Sequence, residues 1–333
     1  MSVSFSYSPN LPAESDPGAA LPVYDSELGR PPAPIALFVY NRLDHTRRTV
    51  EALRANRLAG QSDLFIFADA AKAESGAAAV AAVREFIRTI DGFRSVTISE
   101  RERNLGLSNS IIGGVTQLCR RQGRAIVLED DLLTTPDFLT FMNRGLDHYE
   151  SVAQVFSLTG FNFPIAVPPN YPYDAYASVR SCSWGWATWK DRWEKAKWSV
   201  SQFDDLISTP EGRRRVAQAG PDLVPMLAMQ AAGKIQGWDV IWGFEHLRHH
   251  AVAIRPAISK VYNIGFDGSG IHCGRAPFEQ SALRGRGGSA PRFPEVITPD
   301  PYFGERIMRL HRPSYAQKIW RTCSRYFPSR AGR

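Results

Sequence analysis

Glu129, Asp130 and Asp131 follow without a break on residues 125–128 (AIVL), a short apolar, branched-rich run. Such a run reads as a buried strand. Three carboxylates are then crowded at its carboxyl end, where they repel one another unless a cation sits among them. A D-x-D-like triplet of oxygen donors suits a hard divalent ion, Mn2+ or Mg2+. Such an ion takes one or two protein carboxylates and fills its other positions with diphosphate and water. The competing reading is a solvated acidic loop that caps the next helix.

A second group of candidates lies in residues 237–250 (GWDVIWGFEHLRHH). Asp239 and Glu245 stand among apolar side chains, where a general base can be held and tuned. His246, His249 and His250 do not make the H-E-x-x-H spacing of a zinc protease and read as polar surface or phosphate-facing residues. In residues 183–189 (SWGWATW), Trp184 and Trp186 alternate with small residues. Flat indole faces beside glycine suit the apolar faces of an acceptor sugar, although tryptophans also commonly pack as an aromatic core.

These residues need a scaffold, and residues 34–131 supply one by alternation. Strands are predicted at 35–40, 64–68, 95–99 and 125–128, and helices at 44–56, 76–90 and 108–122. Strands alternating with helices imply a mostly parallel, Rossmann-like α/β sheet with helices on both faces and right-handed crossovers. Ligands of such sheets bind beyond the carboxyl ends of the strands. Those ends carry Asn41 and Arg42, then Asp69, then Arg103 and Asn104, then the acid triplet. Thr135 and Pro136 read as the N-cap and first residue of the following helix. Beyond a strand at 155–160 the regularity is lost, and a Pro/Tyr-rich segment (163–176) leads into the tryptophans. The expected organisation is a leader at 1–32, one domain at 33–290 and a basic tail at 291–333. Within the domain, 33–131 forms the nucleotide-sugar half and 132–290 an acceptor-side extension.

Bulk properties narrow the class. With 44% hydrophobic and 22% charged residues, the 333-residue chain is neither disordered throughout nor collagen-like. Its net charge of +7 favours a nucleotide, a phosphorylated substrate or an anionic surface. No nucleic-acid motif accompanies that charge, so nucleic acid is not an expected partner. The four cysteines form no C-x-x-C pair, which argues against a zinc site and fits a reducing compartment, with the cytoplasm as the default. The leader, rich in Ser, Pro and Ala, is expected to stay mobile and lacks the pattern of a secretion signal. The tail, with Tyr315, Ile319, Cys323 and Tyr326 at helical spacing and basic residues on another face, either lies on the inner face of a membrane or docks on the body.

The order of these motifs resembles that in the N-acetylglucosaminyltransferase I family, inverting glycosyltransferases of the A-type fold. Residues 127–143 are similar to its E-D-D stretch and following helix. Residues 237–274 are similar to its W-D-x-W segment, its I-R-P-E-I-S strand and its Gly-Ser-His loop. The likeness spans roughly 34–275 and extends to bacterial sugar transferases encoded with surface-polysaccharide genes. It implies that Asp131 binds the metal, that Glu129 and Asp130 contact the nucleotide-sugar, and that Arg42 and Asp69 hold its base and ribose. Asn41, Asn104 and Trp238 fall in the same donor-binding set. Asp239 is the implied base, and Glu245 is its rival, since residues 242–245 (WGFE) are similar to W-G-x-E-D segments of other inverting transferases. Two departures stand out: Asn41 replaces the aspartate of an Asp-Arg pair, and Val240 and Ile241 fill the interval to Trp242 where the family has a second acid.

The expectation is therefore a metal-dependent enzyme that moves a sugar from a nucleoside diphosphate to a glycan or lipid-linked saccharide. A sugar nucleotidyltransferase is the alternative with similar acids, but residues 38–46 (FVYNRLDHT) lack its glycine-rich phosphate loop. A non-catalytic carbohydrate-binding protein is the other, and it leaves the acid triplet without a task.

Overall fold

The computed structural model describes residues 28–199, 203–269, 279–283 and 290–311. The leader up to residue 27, the end of the Gly-rich loop with Cys273, and the tail from residue 312 lie outside the described residues.

The strands are β1 (Ile35–Val39), β2 (Asp63–Ala68), β3 (Ser95–Glu100), β4 (Arg124–Glu129), β5 (Leu132–Thr134), β6 (Val155–Thr159), β7 (Ala175–Ser178), β8 (Trp186–Trp189), β9 (Val252–Pro256) and β10 (Val261–Asn263). The helices are α1 (Leu43–Arg54), α2 (Ala77–Ile87), α3 (Leu107–Gln122), α4 (Phe138–His148), α5 (Lys190–Trp193), α6 (Phe203–Ser208), α7 (Pro210–Ala219), α8 (Leu223–Ala231), α9 (Trp238–Arg248) and α10 (Pro301–Leu310). Eight strands form one sheet in the order β3-β2-β1-β4-β8-β6-β9-β7, while β5 and β10 pair separately as a short antiparallel ladder.

The sheet is mostly parallel, as its apolar runs require. β3, β2, β1 and β4 are parallel neighbours, and β6 and β9 are parallel to each other. β8 is antiparallel to both β4 and β6, and β7 is antiparallel to β9. Strands β1 and β4 are buried along nearly their whole length, which fits a sheet covered on both faces. On one face α1, α2 and α4 bring Val50, Leu53, Val83, Ile87 and Leu139 against Ile35, Leu37 and Ile126. On the other, α3 and α9 bring Ile111, Val115, Trp238 and Trp242 against Ala36, Phe38 and Val127. Gly114 of α3 permits that approach, because a Cβ there would meet the Phe38 ring at 2.7 Å.

The predicted strands and helices of residues 34–131 coincide with β1–β4 and α1–α3 to within about three residues, the largest difference being the end of α2 at Ile87. The next stretch differs. The chain does not enter a helix at Thr135 and Pro136 but first forms β5, and α4 begins at Phe138 after Asp137. Thr135 Oγ1 donates to Asp137 Oδ1 at 2.6 Å instead of accepting from a helix N–H. The cause is tertiary, since β5 finds a partner in β10, more than a hundred residues later.

Candidate functional site

The chain leaves β1, crosses to β2 and β3 on one side, and then returns to place β4 on the other side of β1. The carboxyl ends of β1 and β4 therefore flank a reversal of strand order, the usual crevice of such sheets. β1 delivers Tyr40, Asn41 and Arg42 there, and β4 delivers Glu129, Asp130 and Asp131.

Arg42 sits between the acids. Its Nη2 donates to Asp131 Oδ2 at 2.8 Å and makes a shorter ion pair with Asp130. Burial by itself lowers the guanidinium pKa, but the charges of Asp130 and Asp131 outweigh it and raise the value. The cation that the crowded triplet demands is thus supplied, in the described residues, by the protein. The sequence reading looks to a divalent metal for that cation and does not foresee Arg42 in the place.

One guanidinium does not neutralise the group. Glu129 has its pKa pushed well up, first by burial and then by the charges of Asp131, Asp239 and Asp130, against which Arg42 acts weakly. Burial also raises that of Asp130, whose Oδ2 is buried with no hydrogen-bond partner. The backbone fixes the acids from behind: Thr49 Oγ1 donates to Asp130 O at 2.9 Å, and Ile264 N to Asp131 O at 2.9 Å. Beside Ile264, Gly265 packs so closely on the triplet that a Cβ would lie 2.3 Å from Asp131 Oδ2.

Asp239 reaches this group from α9. It is exposed in the first turn of that helix and lies close enough to Glu129 for its charge to act on it. A helix N-terminus favours the ionised form of a carboxylate. Trp238, one residue earlier, is buried and stacked on Trp186 with ring centroids 5.2 Å apart, so it anchors α9 and turns no face to a ligand. Ser108 Oγ, at the start of α3, donates to Gln236 O at 2.6 Å and ties the entry of α9 to α3 beside it.

Other sequence candidates hold the crevice in shape. Asp69 accepts from the amides of Ala70, Leu105 and Gly106 at 2.9 Å each and again from Leu105 at 3.2 Å. Its two oxygens are fully occupied in shaping the loop after β3. Asn104 Nδ2 donates to Ala70 O at 2.7 Å, bracing the same loop. Asn41 is exposed at the rim beside Arg42.

The structure does not bring the remaining candidates to the crevice. Glu245 is 0% exposed and paired with Arg248 at 2.6 Å within α9. Six residues of helix separate it from Asp239, about 9 Å along the axis and on a different face. Trp186 is 1% exposed, its ring enclosed by Trp193, Trp238 and Trp242. Trp184 is half-buried against Phe161 and Phe266. His246 is a core residue, correcting the reading of it as surface or phosphate-facing. Its Nδ1 lies 2.8 Å from Trp242 O, which can only accept, so Nε2, 2.8 Å from Ser157 Oγ, is the acceptor of a neutral ring. Cys119 and Cys182 are free thiols.

Sequence reasoning missed Arg42 as the triplet's counter-ion and Gly265 as its close support. The glycine lies in the segment likened to a Gly-Ser-His loop, and spacing alone gives no sign of a contact across 134 residues. Among the described residues no group of three or more His, Cys, Asp or Glu side chains has the geometry of a metal cluster. The donors present still fit a hard cation: Asp131 offers a carboxylate on a glycine cradle, Asp130 Oδ2 has no partner, and Glu129 is short of positive charge.

No protein-family model and no curated protein matches the chain. Solved structures to which it is similar include a mannosyltransferase, PcManGT from Pyrobaculum calidifontis, in complex with GDP-Man and Mn2+. That overlay has 13% identity, 65% of this chain, 76% of that chain and a TM-score of 0.34. TarS of S. aureus aligns at 8% identity over 69% of this chain and 36% of its own, with a TM-score of 0.37. Mouse xyloside xylosyltransferase 1 aligns at 11% identity over 66% and 83%, with a TM-score of 0.36. Overlays this loose carry no chemistry from one protein to another.

Proposed function

We propose that the protein is a glycosyltransferase of the A-type fold. It moves a sugar from a nucleoside diphosphate to a hydroxyl of a glycan or lipid-linked saccharide, with inversion, in the synthesis of a surface polysaccharide on the cytoplasmic side. The observation that carries this reading is the convergence of Asp239, exposed at the start of α9, on the Glu129–Asp131 triplet at the strand-order reversal. A base and an anion-handling rim then face one crevice, which is what transfer from a diphosphate to a hydroxyl needs.

The roles follow from position. Asn41, Arg42 and the loop shaped by Asp69 and Asn104 form the wall for the nucleotide. Arg42, released from the acids, meets the diphosphate with a fork of donors that matches its oxygens. Glu129 and Asp130 accept from sugar and ribose hydroxyls. Asp131 is the residue to hold Mn2+ or Mg2+, and such an ion, when bound, supplies charge to the departing diphosphate. Asp239 takes the acceptor proton as the hydroxyl oxygen attacks the anomeric carbon. The bond to the diphosphate oxygen breaks on the opposite face through an oxocarbenium-like state. Trp186 and Trp238 position α9.

Titrating UDP and GDP with and without Mn2+ tests the reading. Binding is expected to require the metal and to be lost in Asp131→Asn. A chain that binds neither nucleotide under either condition is not a transferase of this kind.

A further inference from the structure

The Pro/Tyr-rich segment at 163–176 has no part in the chemistry above, yet it walls a cavity of about 80 Å3. The cavity also takes in Arg57 beyond α1, Asp137 and Thr140 at the start of α4, and the turn between β9 and β10 with Lys260. It is separate from the acid triplet. The β5–β10 ladder runs from Asp131, which accepts from Ile264 N, to Thr135, which donates to Lys260 O at 2.9 Å. Four strand residues span about 13 Å.

The lining defines what fits. Arg57 and Lys260 oppose Asp137 and Asp174, two charges of each sign, so neither an anion nor a cation is favoured overall. Lys260 has a side chain 7% exposed and makes one hydrogen bond, to Asp137 Oδ2 at 2.6 Å. An ammonium has three donors, and leaving the others dry is costly, so the cavity calls for oxygen acceptors. The wall is aromatic: Tyr171 is pinned through its hydroxyl to Ala175 O, and Tyr173, 37% exposed, stands edge to face against it with centroids 6.0 Å apart. At about 30 Å3 per water the volume holds roughly three waters, enough to seat one edge of a pyranose ring with its hydroxyls while the rest of the ring lies at the mouth beside Tyr173. A mixed-sign polar floor beside an aromatic wall matches a neutral polyol with one apolar face.

We propose that this cavity is an accessory saccharide-binding site for one neutral pyranose unit, with Tyr173 as its platform and Lys260 and Asp137 as its hydroxyl partners. The binding claim stands on the cavity alone. Its use, to grip an acceptor glycan two or three units from the hydroxyl that reacts, rests on the transferase reading.

The test uses the full chain without nucleotide. It is titrated by calorimetry and saturation-transfer NMR with neutral trisaccharides of glucose, mannose, galactose and N-acetylglucosamine, and with one bearing glucuronate. At least one neutral sugar is expected to bind at millimolar concentration, and the acidic one no more tightly. Tyr173→Ala removes the platform and Thr140→Trp fills the cavity. Each is expected to weaken binding by about tenfold or more while melting temperature and Mn2+–UDP binding stay as in the parent. Should Thr140→Trp fail to fold, Tyr173→Ala decides alone. The proposal is overturned if no neutral trisaccharide binds, or if binding survives loss of the Tyr173 ring. Sugar binding without nucleotide binding sinks the transfer reading and leaves this site standing. Nucleotide binding without sugar binding does the reverse.

Discussion

Arg42 shows how a single side chain can serve two states of a site. It shares Asp131 Oδ2 with whatever cation that oxygen is to hold, and two positive partners repel across one acceptor. In the proposed reading, a metal at Asp131 Oδ2 would compete with the guanidinium and leave it to meet the diphosphate. Arg42→Ala is expected to tighten Mn2+ binding to the nucleotide-free protein by about tenfold, near 1.4 kcal/mol. It is also expected to weaken UDP binding, and paired titrations of Mn2+ and UDP check both directions. The two candidate bases separate just as clearly. Asp239→Asn is expected to lower kcat roughly a hundred- to ten-thousandfold with donor affinity kept. Glu245→Gln removes a buried charge from its partner Arg248, so its main effect is expected in the melting temperature, with turnover per folded molecule retained.

At the scale of elements, the site depends on segments far apart in sequence. α9 brings Asp239 to the triplet because its inner face, with Trp238 and Trp242, is buried in the aromatic cluster around Trp186 and Trp193. β8 carries Trp186 between β4 and β6, so the strand that supports the triplet and the helix that carries Asp239, the proposed base, share one packed layer. Trp186, expected to stack on sugar, thus acts one step back, through the placement of α9. The turn after β10 braces the acids from the other side. Gly265→Ala inserts a methyl where only 2.3 Å is open, with Asn263 Oδ1 at 3.1 Å as well, so either the turn or Asp131 must move. Mn2+-dependent UDP binding is expected to weaken by about tenfold with far-ultraviolet circular dichroism unchanged. A variant that binds as well as the parent shows that the close contact is dispensable.

For the molecule as a whole, His246 couples stability to pH. Burial lowers its pKa from 6.5 to about 4, opposed by the hydrogen bond to Trp242 O and helped by the charges of Arg215 and His249. The unfolded chain takes up a proton below about pH 6.5 and the folded one does not until about pH 4. The stability held at neutral pH is therefore lost progressively across that interval, by about 3 kcal/mol at its lower end. His246→Gln is expected to flatten the fall in melting temperature between pH 6.5 and 4, as thermal scans across that range can show. No described helix is long and apolar enough to cross a membrane. Of the tail at 291–333, residues 291–311 are described and carry α10, while the positions expected at helical spacing from Tyr315 onward lie outside the described residues.

Residues 34–131 were legible in the sequence, because runs such as IALFV and LFIFA have the local apolar pattern that decides strand against helix before any tertiary contact forms. The acids at the end of β4 were legible for the same reason: a buried run ending in three carboxylates raises an electrostatic question on its own. What answers it was not legible. Arg42 lies 88 residues from Asp130, Gly265 lies 134 from Asp131, and β5 exists only because β10 returns beside it. The partition of Asp239 to the crevice and Glu245 to the core came from the direction in which α9 packs. Periodicity within a segment fixes which face is apolar, whereas the closing of long loops fixes which faces meet, and that second choice belongs to the folded chain.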